Sequence, residues 1–114
     1  MDDTFDAVFG ALADPTRRRI LDELRKGPCT TGDLAECFPG LSRFAVMKHL
    51  RVLTDAGLVI AEPVGRKVWN HLNVVPLRRA YERWVSPFAD LWATSLENLR
   101  RVAEDKENNK VRKK

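Results

Sequence analysis

Thiols and imidazoles are scarce in this chain: its 114 residues include two cysteines, Cys29 and Cys37, and two histidines, His49 and His71. Two cysteines cannot build a disulfide scaffold, and a reducing compartment would keep them as thiols. Long apolar runs are also missing. Runs such as Gly57-Leu58-Val59-Ile60-Ala61 fall far short of the roughly 20 residues that cross a bilayer. Met1-Asp2-Asp3-Thr4-Phe5-Asp6 is acidic where a secretory leader is basic, and no apolar region of the leader type follows it, so a cytoplasmic protein without membrane association is expected. There is no glycine-rich phosphate loop, no Gly-x-Ser-x-Gly turn and no His-Glu-x-x-His pair, and the Cys and His residues fall on separate elements. No catalytic residue, no enzymatic activity and no cofactor are therefore expected.

What is present fits a folded globular unit. Hydrophobic residues make up 44% and charged residues 32%, close to globular averages, and the length leaves room for one domain. The reading is a domain over residues 1–104 followed by a disordered basic tail, 105–114, because Glu104 to Lys114 offers almost nothing apolar to bury. The net charge of +4 is unevenly spread: residues 1–14 carry four acidic and no basic side chains, whereas residues 15–72 carry ten basic against six acidic. A basic central segment is compatible with a nucleic-acid partner, and the positions of its charges decide the matter.

Helix punctuation is clear along the chain. Phe5, Val8, Phe9 and Leu12 share one face of a first helix. Asp14 and Pro15 open a second, with Ile20, Leu21 and Leu24 on its apolar side and Gly27-Pro28 as its stop. Thr30 or Thr31 caps a short third helix that ends at Pro39-Gly40. Ser42 caps a fourth over about 43–56, striped by Val46, Leu50 and Leu53 and closed at Gly57. The period then changes. Leu58–Glu62 and Lys67–Leu72 are β-prone runs around the turn Pro63-Val64-Gly65-Arg66, a hairpin with a basic tip. Helical spacing returns beyond Pro76, divided at Ser86-Pro87 into two helices or one kinked helix, with Ser86 as the expected cap.

The order predicts a mainly α fold with a small β-hairpin, a winged helix-turn-helix flanked by N- and C-terminal helices. Opposite its apolar stripe, the fourth helix presents Ser42, Arg43, Ala45, Met47, Lys48 and Arg51, and such a face suits a DNA major groove. Arg66 and Lys67 at the hairpin tip would touch flanking phosphate or the minor groove. A winged helix can also serve as a protein- or RNA-interaction module that never enters DNA, and this alternative stays open.

Three blocks carry a family resemblance: Ala11-Leu12-Ala13-Asp14-Pro15-Thr16-Arg17-Arg18-Arg19-Ile20-Leu21, then Leu41-Ser42-Arg43-Phe44-Ala45-Val46-Met47-Lys48-His49-Leu50-Arg51-Val52-Leu53, and Ala56-Gly57-Leu58-Val59. In this order and spacing, across roughly residues 5–100, the chain resembles the ArsR-type winged-helix repressors. The resemblance implies a homodimeric repressor on an inverted-repeat operator in double-stranded DNA. It maps DNA contacts onto Ser42, Arg43, Ala45, Met47, Lys48 and His49 and a wing onto Arg66 and Lys67, and Thr31, Phe44 and Arg51 are expected to touch DNA beside them. Phe44 and Met47 stand where relatives commonly have proline and serine. Metal-sensing relatives place a Cys-x-Cys pair where this chain has Thr30 and Gly32, or His, Asp and Glu on the last helix, where residues 77–104 contain no histidine. A non-metal-sensing branch without a metal site is therefore expected, and the small-molecule inducer, if any, is unknown. For the dimer surface the apolar residues in excess of a small core are Phe5, Val8, Phe9 and Leu12, with Trp84, Phe88, Leu91, Trp92, Leu96 and Leu99.

Overall fold

The computed structural model describes residues 3–112. Helix α1 (Asp3–Leu12) is followed by α2 (Pro15–Arg25), a short strand β1 (Cys29–Thr30), α3 (Thr31–Glu36) and α4 (Arg43–Asp55). The hairpin is β2 (Val59–Val64) and β3 (Lys67–Leu72), and α5 (Val75–Trp84), α6 (Ser86–Ala89) and α7 (Trp92–Arg112) complete the chain. This is the expected winged helix-turn-helix architecture.

Short side chains start the helices where the sequence indicates. The Asp14 carboxylate accepts the Arg17 N–H at 3.0 Å, the Thr30 hydroxyl accepts the Asp33 N–H at 3.0 Å, and the Ser42 hydroxyl accepts the Ala45 N–H at 3.1 Å. Each satisfies a backbone donor that the first helical turn leaves free. Gly57 ends α4 with φ +79, a left-handed conformation that lets the chain reverse directly into β2.

The sheet is antiparallel in the order β1-β3-β2, so β3 is central and β2 lies at an edge. Val64 pairs with Lys67 across a two-residue turn in which Gly65 has φ +61, as a type II′ hairpin requires at its first central position. Pro63 sits in the outer strand opposite Val68, where a missing N–H is tolerated. The strand β1 is an addition to the sequence reading. It pairs Cys29 with Asn70 and Thr30 with Trp69, and ties the start of α3 to the hairpin.

One core lies between α1, α2, α3, α4 and the base of the hairpin. Val8, Ile20, Leu34, Val46, Leu53, Leu58 and Val59 are its fully buried side chains, each worth about 1.5–3 kcal/mol in removal from water. Only Val59 of β2 is buried, and the rest of that strand projects into solvent. Asn70, 2% exposed, is one of two buried polar residues among those described; its Nδ2 donates to the Cys29 carbonyl at 3.2 Å and to the Thr31 hydroxyl at 3.1 Å.

The chain divides into two compact units, one through Ala80 and one from Tyr81. Three expectations change. Val8, expected on the dimer surface, is 0% exposed within its own core, because the α1 face that carries it packs inward and leaves Phe9 outside. Phe5 and Leu12 are partly buried against the same core. Ser86 is the first residue of α6 and not its cap; Val85 occupies the cap position with no side-chain bond, so α6 is a separate single turn. α7 continues to Arg112, into the segment 105–114 expected as a disordered tail, and just before that segment Arg100 and Glu104 pair at i,i+4 (3.3 Å).

Candidate nucleic-acid interface

The α3-turn-α4 segment and the hairpin bring Arg43, Arg66 and Lys67 together. α4 turns Val46, Leu50 and Leu53 inward, which leaves Arg43, Phe44, Met47, Lys48 and Arg51 exposed on its outer side. The Ser42 cap lies exposed at the N-terminal end of that side, where free amides and the helix dipole favour phosphate. Arg43 and Met47 share a cleft of about 350 Å³ with Arg66 and Lys67 of the hairpin and with Thr31, Gly32, Asp33 and Glu36 of α3. Its walls thus come from three elements, two of which, the hairpin and α3, the Asn70 bonds tie together.

Several expected contacts sit differently. His49 is not presented outward: its side chain is half-buried, with Nδ1 3.5 Å from the Arg17 guanidinium and 3.9 Å from the Asp14 carboxylate. The fourth helix rotates position 49 toward α2 because it lies next to Leu50 and three residues from Val46 on the inward stripe. Ala45 is half-buried for the same reason, and the Thr31 hydroxyl accepts a hydrogen bond from Asn70 Nδ2. His71 pairs across the hairpin with Glu62 at 3.1 Å.

Arg17, by sequence only a polar residue of the second helix, clasps the end of α1. Its Nε donates to the Ala11 carbonyl at 2.8 Å and its Nη2 to the Gly10 carbonyl at 3.0 Å, while the guanidinium reaches His49 of α4. Its place three residues after the capping Asp14 is the one signal of this role in the sequence. Asp14 has a lowered pKa, first because its carboxylate accepts the Arg17 backbone N–H and further because of the positive charge of Arg17 nearby. Burial raises the Cys29 thiol, with Cys37 and Asp33 acting in the same direction, so it stays protonated and weakly nucleophilic. Cys37 is exposed and free. Among the described residues no helix is long and apolar enough to cross a membrane.

A family model described as a helix-turn-helix domain matches residues 12–60. The transcriptional repressor SdpR of Bacillus subtilis is 39% identical over 71 residues, which cover 62% of this chain and 78% of that protein. A solved structure titled an ArsR family transcriptional regulator superposes with a TM-score of 0.71 at 34% identity, over 80% of this chain and 92% of that one. The structure titled the cadmium metal-sensor CmtR of Mycobacterium tuberculosis is similar at 44% identity and a TM-score of 0.53, over 70% and 81%. The chain spans a little over half the length, 51% to 58%, of the curated mycobacterial regulators it matches. Fold, helix-turn-helix and relatives agree on a DNA-binding regulator and not an enzyme. The chain belongs to the ArsR family of winged helix-turn-helix transcriptional regulators.

Proposed function

We propose that the protein represses transcription as a homodimer bound to an inverted-repeat operator, with α4 in the major groove and the β2-β3 tip on flanking DNA. The observation that carries this reading is the cleft shared by Arg43 of α4 and Arg66 and Lys67 of the hairpin. A phosphate strand running along the groove edge would meet all three cations while Lys48 and Arg51 face base edges. Ser42, Thr31, Phe44 and Met47 border the same surface. Ala45 and His49 act through packing and not through direct contact.

The dimer is supported by apolar surface in each unit. Phe9 stays exposed on α1, and Trp84, Phe88, Leu91, Trp92, Leu96 and Leu99 are exposed in the second unit, where Trp84, Val85, Phe88, Ala89 and Trp92 line a groove of about 470 Å³. So much apolar surface on a small monomer favours a second copy. Two-fold symmetry would set the α4 helices about 34 Å apart, or a multiple of that, on one face of DNA. Trp92→Ala, at a side chain 70% exposed, should weaken both the dimer and DNA binding, and unchanged sedimentation would count against this surface.

DNA binding is further proposed to be independent of metal. Supporting this, the thiols at Cys29 and Cys37 are eight positions apart, the Cys29 thiol is held protonated, and among the described residues no three His, Cys, Asp or Glu side chains group to hold an ion. The decisive experiment is a fluorescence-anisotropy titration against DNA from upstream of the protein's own gene and against scrambled duplex, across a salt series and with and without cadmium or zinc. Selectivity of about 10³-fold or more, unaltered by metal, is expected. Equal, salt-erased binding to both duplexes would refute operator recognition, and release by metal would refute metal independence.

A further inference from the structure

The outer side of α4 is apolar at its centre as well as cationic. Phe44 is 68% and Met47 51% exposed, and with Lys48, Arg51, Val52 and Asp55 they line an open groove of about 500 Å³. Neither belongs to the buried stripe of Val46, Leu50 and Leu53. Lys48 holds its ammonium 5.1 Å from the centre of the Phe44 ring, which keeps a cation beside the aromatic face. An aromatic ring and a thioether within the first two turns of the helix, bracketed by Arg43, Lys48 and Arg51, suit a partner that is anionic at its rims and apolar at points within. A DNA major groove has that character. Among the groups its base edges present there, the C5 methyl of thymine is the apolar one, and neither Phe nor Met has a strong donor or acceptor for the others.

We infer that Phe44 and Met47 select T·A pairs in each half-site by apolar contact with thymine C5 methyl groups, a reading that rests on the placement of α4 in the major groove. Arg43, Lys48 and Arg51 then supply phosphate and guanine contacts around a methyl-reading centre. Removing one such methyl should weaken binding about 4-fold, the equivalent of about 0.8 kcal/mol.

The test begins by selecting binding sites for the full chain from a random-sequence duplex pool. The best duplex is then titrated with thymine, deoxyuridine or 5-bromodeoxyuridine at each T position, against the parent protein and against Phe44→Ala, Met47→Ala and the double variant. Both side chains are exposed, so folding should survive, which thermal unfolding checks. The expected pattern is an about 4-fold loss with uracil at one or more T positions, restoration by bromine, which fills the methyl's volume, and disappearance of the loss in the double variant. Selected half-sites without thymine at the protected major-groove positions would overturn the inference, as would indifference to uracil or an equal uracil penalty in parent and double variant. A shift in sedimentation on Phe44→Ala with an unchanged thymine-to-uracil ratio would assign the ring to protein contact instead. A pool that enriches no duplex defeats the major-groove placement of α4 itself.

Discussion

Replacing Asn70 by Asp changes one group of nearly the same shape and reverses its hydrogen-bonding role. The Asn70 amide donates to the Cys29 carbonyl and the Thr31 hydroxyl from a site 2% exposed. A carboxylate there has no proton to donate, and it places an anion against a carbonyl oxygen. The Thr31 hydroxyl can turn and donate to the carboxylate, but the bond to the Cys29 carbonyl, worth about 1 kcal/mol, is lost, and the anion buried against that carbonyl costs about 2 kcal/mol or more, so about 3 kcal/mol or more is expected at neutral pH. For a unit of this size, that lowers the unfolding midpoint by at least about 10 °C. Burial raises the carboxyl pKa of the folded variant above its unfolded value of about 3.9. A raised folded pKa means that the stability of the variant is fullest below the unfolded value and is lost as pH rises through the folded one. The deficit relative to the parent should therefore shrink toward acid. Thermal unfolding by circular dichroism from about pH 4 to 8 measures it. A midpoint within about 2 °C of the parent at pH 7, or a deficit flat across that range, would refute the assignment of Asn70 as the joint between β1, α3 and the hairpin.

Charge reversal at Lys48 should abolish selective DNA binding while the unfolding midpoint and sedimentation stay at parental values, since the side chain is exposed; retained selectivity would dismiss α4 as the reading helix. Replacing Arg66 and Lys67 with Ala should weaken binding alike to operator and scrambled DNA. The same change should flatten the dependence of log affinity on log salt by about 0.9 for each phosphate no longer neutralised, as read from anisotropy titrations. The depressed pKa of Asp14 makes its cap a source of stability that is present above about 3.8 and fades as pH falls through the lower folded value. Asp14→Ala should then be less stable than the parent at pH 7 and close to it once the pH has fallen below the folded value, and acid titration followed by circular dichroism checks this.

Much of this architecture is legible because its signals are local. Asp14, Thr30 and Ser42 precede apolar periodicity, and each caps the helix it announces. The basic side of α4 follows from its stripe in the same way. What escapes is set by partners distant in sequence. β1 is two residues long and exists because Asn70 and Trp69, some forty positions later, pair with it. Val8 and Phe9 share a helical face by spacing, yet the packing of α1 on its neighbours buries one and exposes the other. His49 lies among the α4 residues expected to touch DNA, and only the approach of Arg17 and Asp14 reveals that it faces inward. At Ser86 the expected cap fails because the turn begins one residue earlier, at Val85.

Pro63 has a consequence beyond the turn it adjoins. Val64 and Lys67 flank a two-residue loop, and the alternation of ladder bonds then directs the nitrogen of Pro63 away from β3, toward the open side of β2. That nitrogen carries no hydrogen where a fourth strand would seek a donor. An intruding strand would lose a ladder bond at mid-edge, and the neighbouring Glu62, exposed on the same strand, adds a charge to be desolvated. The hairpin can thus stand out from the body, bare along one side, without becoming a template on which unfolded chains or other hairpins polymerise.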